Sequence, residues 1–188
     1  MQNEVADVRQ AIQYVAANAH RFGVARGRVG GLGASAGGHL LTLANAQLRE
    51  GVALPAIVNW SGPLSTAYIQ QQNPNPTRFA RTIRAAFTNA IGCERPRCQR
   101  RWESLDPIYA LRSSLTRFSI LTLVGETETQ VPPQEAVNAS TRLRTLGHRS
   151  IVVVGRGACH GDLCGRMPIG NGGRTGMDDT RVFFKNEL

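Results

Sequence analysis

The chain has 188 residues, of which 41% are hydrophobic and 19% charged, a balance typical of one globular domain with a substantial core. It contains no apolar run of about eighteen residues, as a membrane span requires, and its first thirty residues lack the order of a signal peptide. The net charge of +9 comes from arginines scattered through every segment, without a nucleic-acid-binding motif or interleaved aromatics, so we expect no nucleic-acid partner.

The first predicted elements are a helix and a short strand. Apolar residues recur at helical spacing and the pattern ends at Phe22-Gly23, so the chain is expected to open on a helix. Residues 29–32 then read as a strand. The residues that carry the helical spacing are Val5, Val8, Ile12, Val15 and Ala19.

The turn after this strand carries the strongest motif. Ser35 stands in a Gly-Ala-Ser-Ala-Gly frame over residues 33–37, between the predicted strand and a predicted helix over 36–49. This is the pattern of a nucleophile elbow, in which the small flanking residues let the backbone turn sharply and expose the hydroxyl. His39 lies on the elbow helix, where we expect it to pack or to form a hydrogen bond.

Further strands and helices alternate along the rest of the chain. Residues 53–60, 119–124 and 151–154 read as strands, and 133–146 and 177–184 as helices. Strands separated by helices imply a parallel sheet. Residues 64–118 are polar, arginine-rich and irregular, with a break at residues 73–76 and a helix near 78–91, and this segment is predicted to be a cap-like helical insert.

Two loops at the carboxyl ends of strands supply groups that could activate Ser35. Glu126 and Glu128 follow strand 119–124, and His160 follows strand 151–154. In a parallel sheet such loops gather at one edge. Serine needs an imidazole to take its proton and a carboxylate to orient that imidazole, and the chain order serine, acid, histidine is that of α/β-hydrolases.

The chain resembles carboxylesterases of the α/β-hydrolase superfamily, in the branch of hormone-sensitive-lipase-like and feruloyl-esterase or deacetylase-like enzymes. The resemblance implies one partial three-layer α/β domain over residues 1–188, with Ser35 as nucleophile, Glu128 as acid and His160 as base. It also implies Ala36 as an oxyanion donor, Trp60 in the acyl pocket, a small-molecule ester as substrate and no metal or organic cofactor. It rests on residues 35–40, Asn18-Ala19, Phe22-Gly23, Gly92-Cys93, residues 106–109, Val131-Pro132 and His160-Gly161.

Two of the chain's departures from the family pattern bear on catalysis. The family commonly has aspartate at the position of Glu128, and Glu126 is a rival only two residues away, although we favour Glu128. The family also has strands and a glycine-rich oxyanion loop before the first helix, so we expect an N-terminally truncated hydrolase. An exposed sheet edge would then offer a surface for homo-oligomer formation. The alternative is an inactive remnant that serves as a binding module.

Two cysteine pairs share one spacing. Cys93 and Cys98 are five positions apart, as are Cys159 and Cys164. Local disulfides and buried free thiols both fit, whereas zinc would need tighter knuckles or a histidine cluster. Disulfides would indicate an oxidising compartment, so the sequence leaves the localisation open.

Overall fold

The computed structural model describes residues 1–71, 78–114, 116–157, 159–161, 163–170 and 172–188. Its helices are α1 Gln2–Ala17, α2 Ala36–Ala46, α3 Thr66–Gln71, α4 Arg78–Ile91, α5 Gln99–Ser104, α6 Pro107–Leu111, α7 Pro133–Thr145, α8 Leu163–Arg166 and α9 Gly176–Glu187. Its strands are β1 Gly31–Ala34, β2 Ala56–Trp60, β3 Ser119–Gly125, β4 Arg149–Gly155, β5 Pro168–Ile169 and β6 Arg174–Thr175.

The main sheet is parallel throughout. Its strands lie in the order β1-β2-β3-β4, with register pairs such as Ala34 with Trp60 and Gly125 with Gly155. Helices connect successive strands, as parallel pairing requires. The predicted α/β class with a parallel sheet is therefore confirmed. All four carboxyl ends meet at one edge, where the loops that follow β1, β3 and β4 come together.

Apolar side chains cover both faces of the sheet, which gives three layers. On one face Ile57 and Ile120 pack against α1, α2, α6 and α7. On the other face Val58 and Leu123 pack with Phe183 of α9 and with the segment around α8. Successive residues of β2 alternate between the two cores because strand side chains point alternately to opposite faces.

The predicted insert is helical in its described parts. Between β2 and β3 lie α3, α4, α5 and α6, while the predicted break at residues 73–76 lies outside the described residues. Trp102 and Ile108 of this segment are buried in the same core as α2. The insert therefore shares the main core in this region.

Several boundaries differ from the predictions. The first strand is Gly31–Ala34, two residues later than expected, because its pairing with β2 continues up to Ala34. The glycines there fit close packing: a Cβ on Gly33 would lie 2.5 Å from the Gly37 carbonyl oxygen. Helix α8 and the β5–β6 hairpin were not predicted, since they are too short to show a periodic pattern.

None of the helices within the described ranges is both long and apolar enough to cross a bilayer.

Candidate active site

Ser35 occupies a strained turn between β1 and α2. Its backbone has φ +51° and ψ −123°, a conformation that a non-glycine residue adopts rarely. Its amide donates to the Trp60 carbonyl oxygen at 2.8 Å, which fixes the turn against the end of β2. Strain of this kind costs about 1–3 kcal/mol and is concentrated at functional sites.

The hydroxyl of Ser35 lies against His160. The Oγ is 2.7 Å from the His160 Nε2, although the two residues are 125 positions apart in the chain. The loop after β4 carries His160, and 23% of the imidazole side chain is exposed. The sheet therefore brings the serine hydroxyl and a potential base into hydrogen-bond contact.

The other ring nitrogen of His160 meets Glu128. Its Nδ1 lies 3.2 Å from the Glu128 Oε2, and the second carboxylate oxygen accepts from the Gln130 amide at 2.6 Å. An ionised carboxylate can only accept hydrogen bonds, so Nδ1 carries the proton and Nε2 is left to accept from Ser35. This tautomer follows from the hydrogen-bond network.

The Glu128 carboxylate is buried and ionised. Burial by itself would raise the pKa of this carboxyl group, because a charge is disfavoured away from water. The hydrogen bonds from His160 and from the amides of Gln130 and Thr129 outweigh burial and hold the pKa below its usual value. A negative charge therefore faces the imidazole at neutral pH.

Glu126, the rival acid, lies elsewhere in the same loop. Its side chain is exposed and accepts from the Gly157 amide at 2.9 Å. It thus links the acid loop to the backbone of the histidine loop. The imidazole of His160 contacts Glu128.

Ala36 is the first residue of α2, directly after Ser35. The first amides of a helix have no acceptor within the helix, and the helix dipole makes this end electropositive. The Ala36 N–H therefore has no acceptor within α2, and it belongs to the residue directly after Ser35.

Trp60, predicted to line the acyl pocket, is not among the residues that line the cavity beside Ser35. It lies in the core beside α9, where its indole N–H donates to the Thr180 Oγ1 at 3.2 Å. Alternation along β2 turns Trp60 to the same face as Val58, away from α2. The cavity beside Ser35 is lined by other residues.

This cavity has a volume of about 270 Å³ and is predominantly apolar. Side chains of α4, which form the α4 wall, and of α2 line it. His39 also lines it: its ring is buried, packs edge-on against Phe87 and donates from Nδ1 to the Pro63 carbonyl oxygen at 2.8 Å. The other lining residues are Met1, Glu4, Ser35, Ala36, Leu40, Ile83, Ala86, Ala90 and Val131.

His39 behaves as expected of a packed residue. Burial lowers the pKa of its imidazole, so the ring is neutral. Sequence reasoning missed the α4 wall, although Ile83, Phe87 and Ala90 recur there at the spacing of one helix face.

Both cysteine pairs form disulfides. The Cys93–Cys98 bridge joins the end of α4 to the start of α5, and the Cys159–Cys164 bridge spans the residues around His160. Cys159 and Cys164 are buried, with exposed fractions of 2% and 0%.

Comparisons with known proteins agree with this fold. The BD-FAE family model matches residues 1–143 of the chain. A search of the curated proteins finds no match.

Solved structures with a similar fold are esterases and peptidases. A truncated carbohydrate esterase from gut microbiota has 22% identity and a TM-score of 0.69 over 97% of this chain and 67% of its own. Butyrate-bound esterase Est2 of Thermogutta terrifontis has 20% identity and a TM-score of 0.60, over 97% of this chain and 62% of its own. A puromycin-hydrolyzing peptidase of Mycobacterium tuberculosis has 18% identity and a TM-score of 0.66, over 98% of this chain and 25% of its own.

The chain thus spans between 25% and 67% of the length of these three proteins. The family match covers more than half of the chain, and the similar structures share its sheet and helices. The predicted resemblance to α/β-hydrolase carboxylesterases is confirmed: the chain belongs to the BD-FAE family of esterase-like hydrolases.

Proposed function

We propose that the protein hydrolyses carboxylic esters through an acyl-enzyme formed on Ser35. The observation that carries this proposal is the continuous hydrogen-bond chain from the Ser35 Oγ through both nitrogens of His160 to Glu128, at 2.7 and 3.2 Å. Serine is a weak nucleophile at its free pKa, and an oriented imidazole is the group that activates it.

In the first half-reaction, Ser35 attacks the ester carbonyl carbon. The hydroxyl proton passes to the His160 Nε2 as the Oγ–carbon bond forms, and the carbonyl oxygen becomes an oxyanion that accepts from the Ala36 N–H. The Glu128 carboxylate stabilises the imidazolium. When the tetrahedral intermediate collapses, the carbon–oxygen bond to the alcohol breaks, and the Nε2 proton goes to that departing oxygen.

In the second half-reaction, water takes the place of the alcohol. It gives a proton to the His160 Nε2 and attacks the acyl carbon, and collapse releases the carboxylic acid as the proton returns to Ser35. No step requires a metal or an organic cofactor.

The apolar cavity is suited to bind the acyl group of the substrate, provided that this group is small and apolar. It borders Ser35 and Ala36, whereas His160, which must reach the departing alcohol, is not among its lining residues. Its volume of about 270 Å³ lies just below the roughly 300–1,000 Å³ of pockets that hold drug-sized ligands. Short-chain acyl esters fit this size.

The alcohol is then expected to leave on the more exposed side of the site. His160 is partly exposed there, so a bulky polar alcohol can remain in solvent while the acyl group is bound. A sugar hydroxyl has this chemistry, and the similar carbohydrate esterase is named for such substrates.

The test compares the wild-type protein with Ser35→Ala on p-nitrophenyl acetate and with a fluorophosphonate probe. We expect turnover and labelling in the wild type and neither in the variant. Labelling without turnover would favour an inactive remnant, and labelling that survives Ser35→Ala would exclude Ser35 as the nucleophile.

A further inference from the structure

Ser61 is a second strained residue at the carboxyl edge of the sheet. Within the part of the chain that the structure describes, it and Ser35 are the non-glycine residues with positive φ, at +49° and +51°. Ser61 directly follows β2, the strand between β1 and β3, and only 1% of it is exposed. Backbone strain persists only where the surroundings enforce it, and it clusters at functional sites.

The turn that begins at Ser61 packs tightly against the elbow. The residue before it, Trp60, accepts a hydrogen bond from the Ser35 amide. The residue after it, Gly62, approaches so closely that a Cβ there would lie 2.6 Å from the Ser35 carbonyl oxygen. The backbone around Ser61 is therefore in direct contact with the backbone of the nucleophile.

The side chain of Ser61 reaches the histidine loop on its other side. Its hydroxyl donates to the Cys159 carbonyl oxygen at 3.2 Å and lies 3.1 Å from the Cys164 Sγ. Cys159 is the residue immediately before His160. The disulfide then joins Cys159 to Cys164, at a Cα–Cα distance of 4.9 Å.

We propose that Ser61 and the Cys159–Cys164 disulfide form a positioning unit that holds His160 in line with Ser35. The inference rests on the proposed function, since it assigns a role to residues that act through His160. The unit links the histidine loop to the turn after β2, and the backbone of that turn contacts the elbow that carries Ser35. None of its three residues touches the reacting atoms.

Global stabilisation alone is a weaker explanation for this bridge. A disulfide stabilises a protein less when it closes a shorter loop, and this one spans only five positions. The Cys93–Cys98 bridge has the same separation but lies in the insert, away from the histidine loop. It provides a matched control, because both bridges close a loop of the same sequence separation.

The experiment compares Cys159→Ala/Cys164→Ala with Cys93→Ala/Cys98→Ala, and Ser61→Ala with Ser61→Gly. Small displacements of a catalytic group can reduce the rate about a hundredfold, so we expect kcat to fall about ten- to a hundredfold without the 159–164 bridge, with KM nearly unchanged. The 93/98 variant should keep the wild-type kcat. Both Ser61 variants should lose activity, because glycine relieves the backbone strain but does not restore the hydroxyl.

A proton NMR measurement tests positioning without relying on turnover. The Nδ1 proton shared between His160 and Glu128 should give a downfield resonance in the wild type that disappears in His160→Ala. We expect the same resonance to weaken or disappear in Ser61→Ala and in the 159/164 variant, at temperatures where thermal unfolding shows that both are folded.

Three results would overturn the inference. These are an unchanged kcat and resonance in the 159/164 and Ser61 variants, an equal loss in the 93/98 variant, or full recovery in Ser61→Gly. If the 159/164 variant does not fold, kcat and the resonance in the two Ser61 variants decide whether the inference holds. If the wild type has no esterase activity, the proposed function fails, but the resonance still reports whether the unit positions His160.

Discussion

The His160 Nδ1 lies 3.2 Å from the Glu128 Oε2, while the nearby Glu126 accepts instead from the Gly157 amide. Two acids of one loop therefore have different partners, one on the imidazole and the other on the backbone. This difference makes them a matched pair for mutation.

Replacement of Glu128 by glutamine should lower kcat about 10³- to 10⁴-fold, because the amide neither stabilises the imidazolium nor enforces its tautomer. Glu126→Gln keeps an oxygen acceptor for Gly157 and should leave kcat near the wild-type value. Steady-state kinetics on p-nitrophenyl butyrate measures both. A larger loss of kcat in the Glu126 variant would mean that Glu126, and not Glu128, orients the imidazole.

The backbone strain at Ser35 predicts that replacement by glycine gives a more stable protein than replacement by alanine. Ser35→Gly should be more stable than Ser35→Ala by about 1 kcal/mol or more, because only glycine adopts φ +51° without a Cβ penalty. Urea unfolding measures the difference, and both variants should lack hydrolysis. Equal stabilities would mean that the elbow is not strained in solution.

The α4 wall predicts how acyl length affects the rate. Ala86→Phe should reduce kcat/KM for p-nitrophenyl hexanoate relative to the acetate at least about tenfold, since it fills the cavity beside Phe87. Ala85, which also lies on α4 but does not line the cavity, gives the control Ala85→Phe. A similar change in the ratio of kcat/KM for the hexanoate to that for the acetate in both variants would mean that the acyl group binds elsewhere.

Glu135 predicts a pH-dependent stability. Its buried Oε1 accepts from the amides of Leu64 and Ser65, and burial, reinforced by the charge of Asp106, raises its pKa to about 8. In the unfolded chain the same group titrates near pH 4.3. Since the folded state retains the proton over this interval, the free energy of unfolding should fall as the pH rises from about 4 to 8.

Glu135→Gln isolates this contribution. The amide keeps an oxygen acceptor for both backbone N–H groups but does not titrate, so the wild type should lose stability relative to the variant as the pH rises from about 4 to 8. Urea unfolding at several pH values gives the difference. A difference that stays constant with pH would mean that Glu135 ionises normally in the folded protein.

The elbow and the loops with His160 and Glu128 could be predicted because they depend on local motifs and on the common edge of a parallel sheet. The position of Trp60 could not, because the face on which a strand residue lies depends on register and on which helix covers that face. The positive φ of Ser61 could not be predicted either, because no sequence motif marks it. The spacing of Cys159 and Cys164 left disulfides and thiols open, since spacing alone does not bring the two sulfur atoms together.

The most direct test of the central claim is the location of the covalent adduct. After reaction with a fluorophosphonate, mass spectrometry of the digested protein should find the adduct on the peptide that contains Ser35, at one equivalent per chain. An adduct on another residue, or an equal adduct in Ser35→Ala, would contradict the account.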